Sequence, residues 1–172
     1  MHCPYPPKTP GYAEFWSREM DRCKNGLKVG KYRITGDNYF FLNFYKLLVV
    51  EDKEKSSEGR DVMHPNFYAK HYEYFHYIEL CQYLKKDVCA FKARGVGFSE
   101  IGASIGARMY TFIRNSKTMY IAAQENYLLG NGVLQKVWDV LEILNQDTEG
   151  ALRHASMKKK EPLWRRASMV DT

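Results

Sequence analysis

Apolar residues recur at helical spacing in four stretches of the chain. From Tyr12 to Asn25, Tyr12, Phe15, Trp16, Met20 and Cys23 share one face and Gly26 supplies a stop, which predicts a helix. Asn66 to Lys85 places Phe67, Tyr74, Tyr77, Ile78, Cys81 and Leu84 on one face, while Tyr68, Tyr72 and Phe75 begin a second aromatic face that Glu79 interrupts. A third helix carries Ile101, Ile105, Met109 and Phe112, and a fourth spans Asn131 to Asn145 through Val133, Leu134, Val137, Trp138, Leu141 and Leu144. Shorter apolar runs predict strands: Lys28 to Ile34, a longer region from Tyr39 to Val50 with a hairpin across Thr35-Gly36-Asp37, Val88 to Phe91, and Thr118 to Ala123. Residues 1–11 read as a proline-rich extended lead-in, Asp52 to Arg60 as a charged surface loop, and the pattern fades from Gln146 into a tail.

The order around the third helix is strand, helix, strand. Two apolar strands joined through a helix predict a right-handed βαβ unit with parallel strands, and such sheets bind ligands at the carboxyl ends of their strands. That rule places Lys92 to Ser99 and Gln124-Glu125-Asn126 on one edge. The run Leu47-Leu48-Val49-Val50-Glu51-Asp52 has the apolar-then-acidic form of a Walker B strand, but it lies upstream of the third helix, so it reads as a strand meeting a polar loop.

Composition narrows the class. The 172 residues suit one domain, or part of a larger protein, that can bury a real core. With 13 Tyr and 9 Phe the chain is too aromatic to be disordered. The net charge of +6 favours an anionic partner such as DNA or a nucleotide, against the plainer alternative of a generic basic surface. The tail residues Arg153, Lys158, Lys159, Lys160, Arg165 and Arg166 are either a solvated charged end or a contact for a phosphate backbone. Cys3, Cys23, Cys81 and Cys89 show no C-x-x-C pairing, so scattered reduced thiols fit better than a metal or disulfide framework. His71 and His76 lie five apart rather than at zinc-ligand spacing and read as surface or satisfied histidines. No apolar run approaches the roughly 18 residues needed to span a bilayer, and no signal-peptide core follows Met1, so a soluble intracellular protein is expected.

The chemistry concentrates at Phe91-Lys92-Ala93-Arg94-Gly95-Val96-Gly97-Phe98-Ser99-Glu100, between the predicted strand and the predicted helix. Glycines there let backbone N–H groups turn towards phosphate oxygens that a Cβ would obstruct. Against G-x-x-x-x-G-K-[ST], Gly97 takes the last glycine and Ser99 the hydroxyl that holds Mg²⁺. Phe98 falls where the lysine belongs and Lys92 where the first glycine belongs, so the positive charge sits at the front of the loop, with Arg94 as a second. The same residues also describe a basic strand-to-helix turn that binds nothing.

The run K-A-R-G-V-G-F-S-E resembles the deviant Walker A of large terminase subunits from tailed phages, in some of which the lysine stands at the front of the loop as Lys92 does. Gly36-Asp37-Asn38-Tyr39-Phe40-Phe41-Leu42-Asn43-Phe44 resembles the aromatic strand upstream of that family's ATPase core, and the likeness extends from Tyr12 to Trp164. The resemblance implies an α/β P-loop NTPase fold, a RecA-like parallel sheet with flanking helices, incomplete here. It implies a lead-in at 1–11, a small α+β N-terminal region at 12–64, and the first part of the ATPase domain at 65–172. It further implies ATP and Mg²⁺ as cofactors and ATP-driven packaging of double-stranded DNA in the host cytoplasm. The implied partners are the portal protein and the small terminase subunit, in a homo-oligomeric ring on the prohead, without a membrane. By that resemblance Lys92, Ala93, Arg94, Gly95, Val96, Gly97, Phe98, Ser99 and Glu100 bind the nucleotide. Lys92 neutralises the phosphates, Arg94 serves transition-state charge or signalling between subunits, and Ser99 holds Mg²⁺.

After Ala123 no second apolar strand ends in Asp-Glu, and no acidic cluster follows that could hold two metals for a nuclease. The expectation is therefore the front part of a larger motor, with its Walker B and nuclease elements elsewhere. Two other readings stay open: a non-enzymatic basic module for nucleic-acid binding or assembly, and another P-loop ATPase such as a helicase.

Overall fold

The computed structural model describes residues 3–49, 61–93, 95–130, 132–148 and 151–152. The expected loop at Asp52 to Arg60, the basic tail from Arg153 onward, Val50, Arg94 and Asn131 lie outside the described residues.

The chain begins with helix α1 (Pro10–Asn25), whose Thr9 N-cap accepts from the Tyr12 amide at 3.3 Å and whose Pro10 stands where an unpaired N–H would be wasted. Strands β1 (Leu27–Val29) and β2 (Tyr32–Ile34) form an antiparallel hairpin. The turn therefore lies at Gly30-Lys31, and not across Thr35-Gly36-Asp37. Helix α2 (Gly36–Asn43) follows, then β3 (Leu47–Val49) paired antiparallel with β4 (Asp61–Met63). The upstream apolar-acidic run is thus an ordinary antiparallel strand as far as Val49. Helices α3 (Ala69–Tyr83), α4 (Phe98–Phe112) and α5 (Val133–Asp147) complete the order, with a short 3₁₀ turn at Glu125–Tyr127 before α5.

The aromatic stretch Gly36 to Phe44 is a helix, which corrects the expected strand. Thr35 acts as its N-cap, accepting from the Asn38 amide at 3.2 Å, and Asp37 sits in the first turn where the helix dipole favours a carboxylate. Gly36 through Phe41 are all buried. A helix buried on every side has no polar face, and a short run of this kind cannot be told from a strand by periodicity.

This helix is the centre of the core. Phe40 stacks on Phe44 at 5.9 Å and meets Phe112 of α4 edge-on at 5.8 Å. Phe41 reaches Phe75 of α3 at 5.5 Å. Trp16 and Cys23 of α1, Ile101 and Ala107 of α4, and Leu141 and Leu144 of α5 close one continuous apolar cluster around it. Of the face expected on α3, Ile78 and Cys81 are buried while Tyr77 and Leu84 are exposed, and Phe75 from the second aromatic face takes their place.

Among the described residues both sheets are two-stranded and antiparallel, and the expected parallel βαβ unit is not formed. Val88 to Phe91 and Thr118 to Ala123 flank α4 as expected but pair with no strand among the described residues, and a strand exists only through its neighbour's hydrogen bonds. The second stretch lies over α4: Tyr120 donates to the Gly102 carbonyl at 2.7 Å, and a Cβ at Gly106 would collide with its hydroxyl. Met119 and Ile121, on the alternate positions, are 81% and 88% exposed.

Candidate functional site

A cleft of about 880 Å³ opens between the first turns of α3 and the loop that leads into α4. That volume lies in the range of small-molecule and cofactor sites. The loop folds as it does because of two left-handed residues: Gly95 has φ +81° and Gly97 φ +71°, a region that costs an L side chain roughly 1–2 kcal/mol. Gly97 is the N-cap of α4 and has no side chain to cap it. The first intrahelical bond runs from the Ile101 amide to the Gly97 carbonyl at 3.0 Å. The amides of Phe98, Ser99 and Glu100 therefore have no intrahelical acceptor, which is the arrangement that receives an anion.

Neighbouring elements hold the loop in place. His71 of α3 sets Nε2 3.0 Å from the Val96 carbonyl oxygen, the distance of an N–H···O bond. The peptide bonds of the described residues are trans, so with that carbonyl turned to α3 the Gly97 N–H on the same peptide points away from it. Phe98 lies on Tyr74 with ring centres 4.5 Å apart, anchoring the start of α4 to α3. Glu100 receives the Tyr45 hydroxyl at 2.5 Å and pairs with Lys136 of α5. Burial, and then the Glu100 charge, push the Tyr45 phenol far above its usual range, so it stays a donor at any working pH.

Of the site residues expected from sequence, the structure gathers Lys92, Ala93, Gly95, Val96, Gly97, Phe98 and Glu100 around the cleft. Lys92 is exposed. Ser99 is exposed at the start of α4 and does not line the cleft. The geometry of Arg94 lies outside the described residues. Gln124-Glu125-Asn126, expected on the same edge, are exposed and do not line it either. Lys70 and Tyr68 of the α3 entry do, and add a second cation and an aromatic ring to one wall.

The functional positions that sequence reading missed are His71 as a loop contact, and Tyr45, Tyr74 and Lys136. The sequence presents His71 only as a surface or satisfied histidine; its second ring nitrogen, Nδ1, is buried with no hydrogen-bond partner among the described residues. Tyr45 and Lys136 stand 55 and 36 positions from Glu100, and no local pattern links them.

The donor set fits a polyphosphate: left-handed glycines, free helix-start amides, and two lysines facing the same cleft. For a divalent cation the chain offers the Ser99 hydroxyl. Among the described residues no group of three His, Cys, Asp or Glu side chains could hold a metal ion by itself. Ser99 stands outside the cleft lining, so a cation in the cleft would rest chiefly on phosphate oxygens, as Mg²⁺ commonly does. Among the described residues no helix is long and apolar enough to cross a membrane. No family model matches the chain, and no curated protein or solved structure shows significant similarity to it.

Proposed function

We propose that this chain binds the phosphates of ATP through Lys92 to Ser99, as the nucleotide-binding part of a large terminase subunit that packages double-stranded DNA. The observation that carries the reading is the approach to α4. Two left-handed glycines lead into the uncapped start of α4 beside a cleft of nucleotide size, with Lys92 among the residues that line it.

In this mechanism the protein's own groups position and neutralise. Lys92 offsets β/γ-phosphate charge from the front of the loop, where its exposed ammonium is free to swing onto an oxygen. Gly95 and Gly97 allow close approach of the backbone, and the amides of Phe98 and Ser99 supply donors along the helix axis. Ser99, exposed at the start of α4, is the hydroxyl that would hold the cation accompanying the nucleotide, and that cation would polarise the terminal phosphoryl group. Arg94 stands in the loop as a further charge for the transferring group. The ring on the prohead, the portal and the small subunit belong to the same reading.

A second reading has its own support. Phe91 is 99% exposed and Tyr68 is exposed too, beside Lys92 and Lys70 on the same cleft. Exposed rings interleaved with cations also suit stacking on single-stranded bases in a non-enzymatic nucleic-acid-binding module.

Titration of the purified chain with a fluorescent ATP analogue separates the two. The nucleotide reading expects saturable binding that ATP and inorganic triphosphate displace and adenosine does not. Binding of oligonucleotides with indifference to ATP would overturn it in favour of the module.

A further inference from the structure

Glu100 is the only acidic residue that lines the glycine-loop cleft among the described residues. It sits in the first turn of α4, beside the amides that would receive phosphate oxygens. A carboxylate there suits the helix dipole, yet it repels a polyanion arriving at the same amides. The structure meets that charge from two sides. Tyr45, 1% exposed and fixed in the core, donates to one carboxylate oxygen at 2.5 Å. Lys136 comes across from α5 to the other, with its side chain 30% exposed and that of Glu100 23%.

We propose that Lys136 is a positioning residue of the phosphate site, acting through Glu100: it cancels the carboxylate's charge and, with Tyr45, holds that group aside from the incoming phosphates. The inference rests on the phosphate-loop reading above. It explains how a loop with Phe98 in the usual lysine position tolerates an acid two residues later. The balancing cation is supplied by α5 instead of by the loop. It also makes α5 sensitive to occupancy of the loop, since phosphate charge competes with Glu100 for the same ammonium.

The test is equilibrium binding of MgATP and of inorganic triphosphate to the full chain, with thermal melts on every variant. Lys136→Met should weaken both ligands about tenfold, and Lys136→Arg should stay near wild type. In the double variant Glu100→Gln/Lys136→Met affinity should return to within about twofold, because the repelling charge has gone with its partner. Glu100→Gln alone should bind at least as tightly as wild type, and this result stands even if Lys136→Met fails to fold. A folded Lys136→Met with unchanged affinity, a double variant as weak as the single, or a weaker Glu100→Gln would each overturn the proposal. If wild type binds, Lys92→Ala loses binding and Lys136→Met does not, this inference alone falls. If wild type binds neither ligand, the phosphate-loop reading falls and takes this one with it.

Discussion

Arg108 of α4 donates to Asp37 of α2 at 3.0 Å, and the same guanidinium caps the end of α1 through the carbonyls of Cys23 at 2.6 Å and Lys24 at 2.9 Å. One side chain thereby joins the start of the central helix to the end of the first. The side chains are 11% and 6% exposed, so the pair is close to dry. Removing one partner of a buried pair strands the other. Arg108→Ala should cost about 3–5 kcal/mol in urea unfolding. A loss under about 1 kcal/mol would mean that water reaches Asp37 in the native state.

Asp37 carries a pH dependence of definite sign. Burial raises its pKa above the ordinary carboxylate value, and Arg108 only partly offsets this. In the window between the unfolded and the raised folded value, the native state keeps its proton while the unfolded state has released it. The contribution of Asp37 to stability therefore falls as pH rises through that window. Stability measured from pH 3 to 7 in wild type and Asp37→Asn should show wild type losing ground to the variant with rising pH. The opposite slope would place the ion pair above desolvation.

Phe98 lies on Tyr74 in place of a loop lysine. Phe98→Lys, which restores the standard motif spacing, should destabilise the chain by about 1–2 kcal/mol, through lost burial and the lost ring pair. Phe98→Leu should cost less. Equal stability of the lysine variant and wild type in chemical denaturation would show that the ring packing at the loop contributes nothing.

Met119 and Ile121 expose nearly their whole side chains on a stretch that pairs with no strand among the described residues. Unpaired apolar segments promote association. Ile121→Lys should reduce light scattering of concentrated protein while leaving the melting midpoint nearly unchanged, as exposed substitutions do. Scattering that is unaffected by the lysine would move the source of association elsewhere.

The elements that sequence made legible are those with one wet face. On α1 and α5 polar residues alternate with the buried stripe, and Gly26 marks the end of α1, whereas its start at Pro10, capped by Thr9, falls inside the expected lead-in. Helix α2 was illegible for the opposite reason: it is buried all round, and its aromatic run imitates a strand unless the Thr35 cap with Asp37 in the first turn is weighed. Val88 to Phe91 and Thr118 to Ala123 have strand composition, but composition cannot provide a neighbour to pair with. At the entry to α4 the need for glycine was readable because it is local: Gly95 and Gly97 take left-handed backbone, whatever the loop binds. The groups that brace it were not. His71 reaches the loop, and Tyr45 and Lys136 reach Glu100, only through the packing of α3, the segment after α2, and α5 around the start of α4.

The central claim is that Lys92 and the glycine loop hold nucleotide phosphates, and calorimetric titration of MgATP into wild type and Lys92→Ala tests it most directly. Binding is a better readout than turnover, because Glu100, the only carboxylate lining the cleft among the described residues, is already engaged by Tyr45 and Lys136. Wild type should bind saturably. Lys92→Ala should bind about 10–100-fold more weakly with an unchanged melt, as expected for losing one charge-assisted contact to phosphate. Equal affinity of the two proteins, or no binding by either, would contradict the account.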